Sequence, residues 1–178
     1  MTDQSELSAT QVEEAVERLA RGIAERRGAT RRLLLVGIAD GGVGLADRLS
    51  VKLADLLGRE VPVGVADVSF HRDDIGSNPI PKAGSPTDLP PTVEGAACIL
   101  VDDVLFSGRT IRAALNELFD QGRPERVELA VLVDRGGRRL PIAPDYVGLD
   151  LQVAPEQNVE ASIASTPSET DHVSVTSP

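Results

Sequence analysis

Apolar residues follow two kinds of pattern along this chain. Five segments have the continuous or alternating apolar residues of β-strands, and they lie at 33–38, 61–70, 99–101, 127–133 and 145–149. Apolar residues at helical spacing predict three helices, which lie at 8–27, at about 43–57 and at 109–121. Ser8 with Gln11 fits a capping box at the start of the first helix, and Gly122 followed by Pro124 marks the end of the last.

This alternation of strands and helices predicts an α/β fold with an open, mostly parallel sheet flanked by helices on both faces. Such sheets bind ligands at the carboxyl ends of their strands, near a switch point in strand order. Four segments follow strands, and we expect them to line one crevice: 39–42, the long loop after Phe70, 102–110 and 134–141.

Length and composition limit the possible domain organisation, location and function of the protein. The 178 residues suit one domain, which we place at 1–160, and the Ser-, Thr- and Pro-rich residues 161–178 predict a disordered tail. The single cysteine, Cys98, suits a reducing cytoplasm, and no apolar run reaches the ~18 residues of a membrane span. The net charge of −10 argues against a protein built mainly to bind nucleic acid.

The segment at 98–110, CILVDDVLFSGRT, carries the most chemistry. Asp102 and Asp103 end a buried strand, and Ser107, Gly108 and Thr110 precede or begin a helix. A helix N-terminus with nearby hydroxyls favours phosphate, whereas paired carboxylates favour a vicinal diol or a developing cation. Ribose 5-phosphate satisfies both requirements, although a purely turn-capping role for the two acids stays open.

The other loops are less specific. Gly41 and Gly42 fit either a tight turn or a ligand loop, and their spacing matches neither a dinucleotide fingerprint nor a P-loop. The proline-rich stretch 76–91 is typical of a lid. His71 has no second histidine nearby, so we expect no metal site made by side chains alone.

The segment at 98–110 resembles the phosphoribosyl diphosphate motif of type I phosphoribosyltransferases. Its surroundings VSFHRDD, RTIRAALNELFDQGRP, LAVLVDRG, RRLPI and PDYVGL resemble the PyrR family of pyrimidine operon regulators and uracil phosphoribosyltransferases, over about 33–159. The resemblance implies the type I phosphoribosyltransferase fold with a flexible loop over the active site. It also implies that uracil and phosphoribosyl diphosphate give UMP and diphosphate, with Mg²⁺ held mainly by the diphosphate.

The resemblance also implies residue roles. Asp102 and Asp103 would hold the ribose hydroxyls and stabilise charge at the anomeric carbon, and Arg72 would cover the diphosphate. Residues that would hold the ribose 5-phosphate are Val104, Leu105, Ser107, Gly108, Arg109 and Thr110. The diphosphate loop would be Ala39, Asp40, Gly41 and Gly42. The base would be read, largely through the backbone, by the loop that carries Asp134, Arg135, Arg138 and Leu140.

Three features depart from the family pattern. Many members have Lys-Thr-Arg-Gly where this chain has 39–42 (Ala-Asp-Gly-Gly), and Gly-His-Arg-Glu-Leu-Pro where it has 136–141 (Gly-Gly-Arg-Arg-Leu-Pro). The family binds messenger RNA leaders through a basic concave surface of a dimer, yet this acidic chain has only two lysines, Lys52 and Lys82. The alternatives are therefore a poorly catalytic, UMP- or UTP-sensing RNA-binding attenuator, or a phosphoribosyltransferase for another base. The resemblance implies a homodimer or higher homo-oligomer.

Overall fold

The helices and strands build one parallel sheet and one small antiparallel sheet. The structure is a computed structural model that describes residues 5–68, 87–90 and 93–177. In chain order its elements are β1 (Ser5–Leu7), α1 (Ala9–Arg27), β2 (Leu33–Ile38), α2 (Gly41–Leu57), β3 (Val63–Ala66), β4 (Ala97–Leu105), α3 (Arg109–Gln121), β5 (Arg126–Asp134), β6 (Tyr146–Asp150), β7 (Asn158–Ser162) and β8 (His172–Thr176). The five central strands and three helices confirm the predicted α/β fold.

The main sheet is parallel throughout, and its strand order is β3-β2-β4-β5-β6. From β2 the chain goes outward to β3 and then returns to form β4 on the other side of β2. The order therefore reverses between β2 and β4, and a ligand crevice is expected at this switch point. Gly37 near the end of β2 pairs with Val101 of β4, so the loop after β2 starts beside the part of β4 that carries Asp102 and Asp103.

Two hydrophobic layers cover the faces of this sheet. Leu33 and Leu35 of β2 pack with α1 and α2 on one face, whereas Leu34 and Val36 pack with α3 on the other. Both layers exclude solvent, since all six residues of β2 are buried. Burial on both faces explains why the strand sequences are continuous apolar runs rather than alternating ones.

The predicted helix ends are observed. The Ser8 backbone N–H donates to Oε1 of Gln11 at 3.0 Å, which closes the capping box before α1. Gly108 precedes α3 with φ of +92°, a left-handed conformation that favours glycine. The α3 helix ends at Gln121, and extended backbone at Gly122 follows it.

The C-terminal residues differ from the expected disordered tail. Strand β8 pairs with β1 and with β7, so 158–176 form a hairpin that also holds the N-terminal strand. Val173 and Val175 are buried while their neighbours are half-exposed, which is the period-two pattern of a strand. The prediction of disorder relied on the many Ser and Thr residues of this segment. Composition reflects average polarity and does not show that two valines are placed at strand spacing.

The long loop after β3, including Arg72 and His71, lies outside the described residues apart from 87–90. A lid over the crevice therefore stays a sequence-based prediction. Among the described segments, no helix combines the length and apolar character needed to cross a membrane.

Candidate active site

The two adjacent acids at the carboxyl end of β4 are fixed by the backbone that follows them. Asp102 is 6% exposed, and its Oδ1 accepts the backbone N–H of Asp103 at 3.1 Å. Oδ1 of Asp103 accepts the backbone N–H of Val104 at 2.7 Å. Burial raises the pKa of Asp103 above its ordinary value of 3.8, although these hydrogen bonds oppose the shift. Two carboxylates are thus held at the rim of the crevice with orientations set by local backbone.

Glycines bring the β2–α2 loop into contact with these acids. A Cβ atom on Gly42 would lie 2.9 Å from the carbonyl carbon of Val101 and 3.1 Å from Cα of Asp102. A Cβ atom on Gly41 would overlap the Asp103 carboxylate. Real Cβ atoms do not approach backbone so closely, so position 42 requires glycine, whereas a side chain at position 41 would have to displace the Asp103 carboxylate. The expected diphosphate loop therefore lies against the acidic pair, and its Ala39–Asp40 peptide is cis.

The segment after the acids lines a cavity of about 350 Å³. Its lining residues are Asp102, Val104, Leu105, Phe106, Ser107, Gly108, Arg109, Thr110, Ile111 and Arg139. The first turn of α3 borders this space, and the first turn of a helix leaves backbone N–H groups without intrahelical acceptors. Hydroxyls and a helix N-terminus around one cavity are the features of an anion site, and Oγ of Ser107 accepts the backbone N–H of Arg109 at 3.4 Å.

The loop after β5 uses several of its side chains to hold its own shape. Asp134 pairs with Arg138, and its Oδ1 accepts the backbone N–H of Gly136 at 2.9 Å. Burial disfavours the charged form of Asp134, but Arg138 and the Gly136 amide outweigh it and lower the pKa of this carboxyl. Arg138 also donates to the carbonyl oxygen of Phe106 at 3.0 Å. These side chains therefore join the β5 loop to the β4 loop.

Arg135 adds a second connection between the same two loops. Its guanidinium lies 4.2 Å from the centroid of the Phe106 ring, and its backbone N–H donates to the carbonyl of Leu105 at 3.2 Å. Gly137 has φ of +76°, and a Cβ atom there would meet the Phe106 ring. The ring is thus held between a cation and a glycine backbone.

Most of the expected site residues converge, and a few do not. The acids, the segment Ser107–Thr110 and the β2–α2 loop meet at the switch point. Asp134, Arg135 and Arg138 do not line the 350 Å³ cavity, whereas Leu140 packs beside Gly108 at its edge. Arg72 falls outside the described residues.

Sequence reasoning missed Phe106, Ile111 and Arg139 as cavity residues. Phe106 and Ile111 lie within or next to the motif, so their proximity could have been inferred from spacing alone. Arg139 enters through a tertiary contact: its backbone N–H donates to the carbonyl of Ser107 at 3.0 Å. No pattern in the local sequence predicts that contact.

No group of three or more His, Cys, Asp or Glu side chains placed to hold a metal occurs in the described portion of the chain. Asp102 and Asp103 are hard oxygen donors, the kind that Mg²⁺ prefers. They suit a magnesium ion that takes the remainder of its oxygens from a bound phosphate compound and water.

The phosphoribosyl transferase domain family matches residues 3–165 of this chain. A solved hypoxanthine phosphoribosyltransferase of Trypanosoma cruzi superposes with a TM-score of 0.70 at 21% identity, over 96% of this chain and 95% of that one. A purine phosphoribosyltransferase of Pyrococcus horikoshii Ot3 gives 0.62 at 26% identity, over 82% of this chain and 86% of that one. Fold and site together define a phosphoribosyltransferase of the type I class.

Comparison with sequence relatives identifies the family within this class. The chain is 45% identical over 161 residues to the bifunctional protein PyrR of Chloroflexus aurantiacus, covering 90% of this chain and 88% of that protein. It is 46% identical over 153 residues to the bifunctional protein PyrR of Geobacter sp. strain M21, covering 86% of both. The chain belongs to the PyrR family.

Proposed function

We propose that the protein is a uracil phosphoribosyltransferase, which converts uracil and phosphoribosyl diphosphate to UMP and diphosphate. One observation carries the proposal: a carboxylate pair lies between a glycine loop and a helix-borne anion cavity, at the switch point of the sheet. A ribose 5-phosphate unit carries a phosphate for the cavity and two hydroxyls for the neighbouring carboxylates.

Asp102 and Asp103 accept hydrogen bonds from the ribose hydroxyls. As the bond from the anomeric carbon to diphosphate breaks and the bond to the uracil nitrogen forms, positive charge develops on the ribose. The base nitrogen loses its proton to solvent in the same reaction, and diphosphate leaves with the electron pair of the broken bond. Fixed carboxylates at the rim of a crevice stabilise that positive charge without reorganising, so electrostatics and positioning supply the rate enhancement.

The two phosphate-bearing ends of the donor occupy different loops. The hydroxyls of Ser107 and Thr110 and the first-turn amides of α3 hold the 5′-phosphate. The backbone of 39–42 holds the diphosphate, and Arg72 covers it. Asp102 and Asp103 suit a share of the magnesium shell, and the ion, when bound, neutralises charge on the leaving diphosphate.

The β5 loop reads the uracil edge mainly through its backbone. This assignment is supported by the ion pair between Asp134 and Arg138. Because these two side chains hold the loop in shape, the backbone is left to contact the base. The Arg135 guanidinium contacts the Phe106 ring, so this side chain also helps to hold the loop in shape. Leu140 packs at the cavity edge and gives the base an apolar neighbour.

The test is Mg²⁺-dependent release of diphosphate from phosphoribosyl diphosphate with uracil, hypoxanthine, guanine or orotate as acceptor. We expect turnover with uracil and at least tenfold less with each of the others. Turnover with a different base and not with uracil would identify that base as the substrate. No turnover with any of the four would overturn the proposal that the protein is an enzyme.

A second candidate function is regulation of pyrimidine genes by binding messenger RNA leaders in the cytoplasm as a homo-oligomer. Its support is the likeness to relatives named bifunctional protein PyrR. Arg31, Arg32 and Arg59 also line a cavity of about 220 Å³ at the amino end of β2, opposite the crevice. Binding to a leader RNA should weaken linearly in a log–log plot against salt, as phosphate contacts require. Absence of any salt-dependent binding would exclude this role.

A further inference from the structure

The strands of the main sheet begin at an edge that is rich in arginine. All five strands are parallel, so the segments that precede or begin them lie together, at the opposite edge from the crevice. These segments are 26–32, 58–62, 93–96, 122–128 and 143–145, and they contain seven arginines and five acids. Positive charge therefore exceeds negative charge here, although the chain as a whole has a net charge of −10.

The arginines near β5 are paired with an acid, whereas two near β2 and β3 are not. Arg27 and Arg126 both pair with the buried carboxylate of Glu128. Within the described residues, the side chain of Arg31 makes no hydrogen bond or ion pair, and Arg59 donates only to backbone carbonyl groups. No contacting carboxylate therefore balances the charge of these two guanidinium groups in the described parts of the chain.

These two arginines and Arg32 border one cavity of about 220 Å³. The remaining lining residues are Leu33, Leu34, Glu60, Pro62 and Ala96. Nη2 of Arg59 donates to the carbonyl oxygen of Thr30 at 2.6 Å, which fixes one guanidinium at the rim. A Cβ atom on Gly95 would lie 3.2 Å from Nη1 of Arg32, so a second guanidinium lies beside the start of β4. The cavity thus combines an apolar floor with a positively charged rim.

This cavity is separate from the crevice that contains Asp102 and Asp103. It lies before β2, whereas the crevice lies after β2, and that strand has six residues. At a rise of ~3.3 Å per residue, the two places are about 20 Å apart. The 220 Å³ cavity and the 350 Å³ cavity share no lining residue. A small ligand in one of them therefore does not contact the other.

The lining favours a compact anion with more than one negative charge. Guanidinium groups are always charged, and their parallel N–H groups match two oxygens of one phosphate. Three arginines outnumber Glu60, the one acid of the lining. The volume is below the ~300–1,000 Å³ of sites for drug-sized ligands, so it suits a diphosphate group better than a whole nucleotide. The phosphodiesters of RNA carry one charge each and lie in a row, which a strip of cations would match better than a single cavity.

We propose that Arg31, Arg32 and Arg59 form a second anion site, which binds a diphosphate or triphosphate group at the amino edge of the sheet. The ligand is a free polyphosphate or the polyphosphate end of a nucleotide, whose remaining atoms lie outside the cavity. This site does not depend on the proposed function, because no residue of the crevice takes part in it.

The experiment is a titration of sodium diphosphate, without Mg²⁺, into isotope-labelled full-length protein, followed by amide chemical shifts. The amides of 31–34, 59–61 and 96 should shift together, with one dissociation constant of about 1 mM or below. Arg31→Gln should raise this constant about tenfold, as expected for loss of a charge-assisted hydrogen bond. The side chain of Arg31 is exposed, so the variant should fold as the wild type does.

Arg21→Gln is the matched control. It removes the same charge from an exposed position on α1 that borders a different cavity, so the dissociation constant should not change. The amides of 107–110 report on the crevice, and Arg31→Gln should leave their response to ribose 5-phosphate unchanged. Absence of uracil turnover would refute the proposed function and would leave this binding comparison intact.

Three results would overturn the second anion site. The first is no shift of the amides at 31–34 and 59–61 with about 10 mM diphosphate at low salt. The second is the same dissociation constant for wild type and Arg31→Gln, or an equal loss in Arg21→Gln, since that is a general charge effect. The third comes from a single-stranded oligoribonucleotide without terminal phosphates, which should bind at these amides more weakly than diphosphate. Tighter binding of the oligoribonucleotide would make the cavity an RNA contact instead.

Discussion

Gly41 lies directly against the carboxylate of Asp103. A Cβ atom on Gly41 would come within 2.7 Å of Oδ1 of Asp103 and closer still to Oδ2. A side chain at position 41 would therefore require the Asp103 carboxylate or the loop to move. The β2–α2 loop and Asp103 are packed together, and a change in one must move the other.

Gly41→Ala should therefore disable the site without unfolding the chain. The new methyl group displaces the Asp103 carboxylate or the loop, and a displacement of about 1 Å in a catalytic group costs on the order of 100-fold in rate. We expect kcat/KM for phosphoribosyl diphosphate to fall at least tenfold, measured by diphosphate release, with an unchanged far-UV circular dichroism spectrum.

Gly22→Ala is the matched control for this substitution. Gly22 lies in α1, and a Cβ atom there would meet Tyr146 at an ordinary 3.5 Å. Activity should be unaffected, and stability should rise slightly because alanine favours helix. Equal activity of Gly41→Ala and wild type would show that Asp103 does not need its present position.

Asp40 places a negative charge at the start of α2, in the loop assigned to the diphosphate. Asp40→Asn removes that charge with little change in shape. We expect KM for phosphoribosyl diphosphate to fall roughly two- to fivefold, the size of an interaction between partly exposed charges. Asp55→Asn, on an exposed part of the same helix, should leave KM unchanged. A rise in KM with Asp40→Asn would mean that this carboxylate helps to bind the donor.

Burial raises the pKa of Asp103, and this shift links stability to pH. The folded state binds the Asp103 proton more tightly than the unfolded state does, so stability falls as pH rises above the ordinary value of 3.8. Asp103→Asn keeps an oxygen acceptor for the Val104 amide and removes the buried charge. The variant should melt at a higher temperature than wild type at pH 7, and the difference should vanish below pH 3.8.

The same substitution should reduce activity. In the proposed mechanism an ionised Asp103 stabilises the positive charge on ribose, so Asp103→Asn should lower kcat about 100-fold or more at pH 7. In wild type, kcat should fall on acidification with an apparent pKa above that of an ordinary aspartate. A variant with higher stability and undiminished kcat would remove Asp103 from the mechanism.

The sequence predicted the central sheet, because each of its strands carries its own burial pattern. It also predicted the small-residue loop before α3, but it placed Asp102 and Asp103 in a turn, whereas β4 continues through both acids to Leu105. The small sheet could not be predicted in this way. β1 and β8 come from opposite ends of the chain, and the pairing of Glu6 with Ser174 has no signature in either segment alone.

Arg139 shows the same limit within the site. Its residue type and loop were visible, but its entry into the cavity depends on how the β5 loop packs on Ser107. Gly41 is a related case, because two adjacent glycines suggested a tight turn or a ligand loop equally well. Contact with Asp103 identifies what this glycine accommodates.

The C-terminal hairpin is joined to helix α2 by a buried ion pair between Arg48 and Asp171. Both side chains are 3% exposed or less, and Arg48 also pairs with Glu13 of α1. Asp171 accepts the backbone N–H groups of Ala164 at 3.0 Å and Ser168 at 3.2 Å. Burial opposes ionisation of Asp171, but these amides and Arg48 outweigh it and lower its pKa.

Arg48→Met should destabilise the protein by about 3–5 kcal/mol at pH 7, because it leaves Asp171 charged, buried and without its cation. Asp171 contributes stability above its ordinary value of 3.8, and this contribution is lost as pH falls through the lowered folded-state pKa. The difference between wild type and Arg48→Met should therefore narrow on acidification, when protonation relieves the unpaired carboxylate. Denaturant unfolding at pH 7 and at a series of pH values below 3.8 measures both effects. Arg21→Met removes an exposed pair with Glu17 and should cost at most about 1 kcal/mol. If Arg48→Met loses no more free energy of unfolding than Arg21→Met does, the hairpin does not depend on this ion pair for its packing.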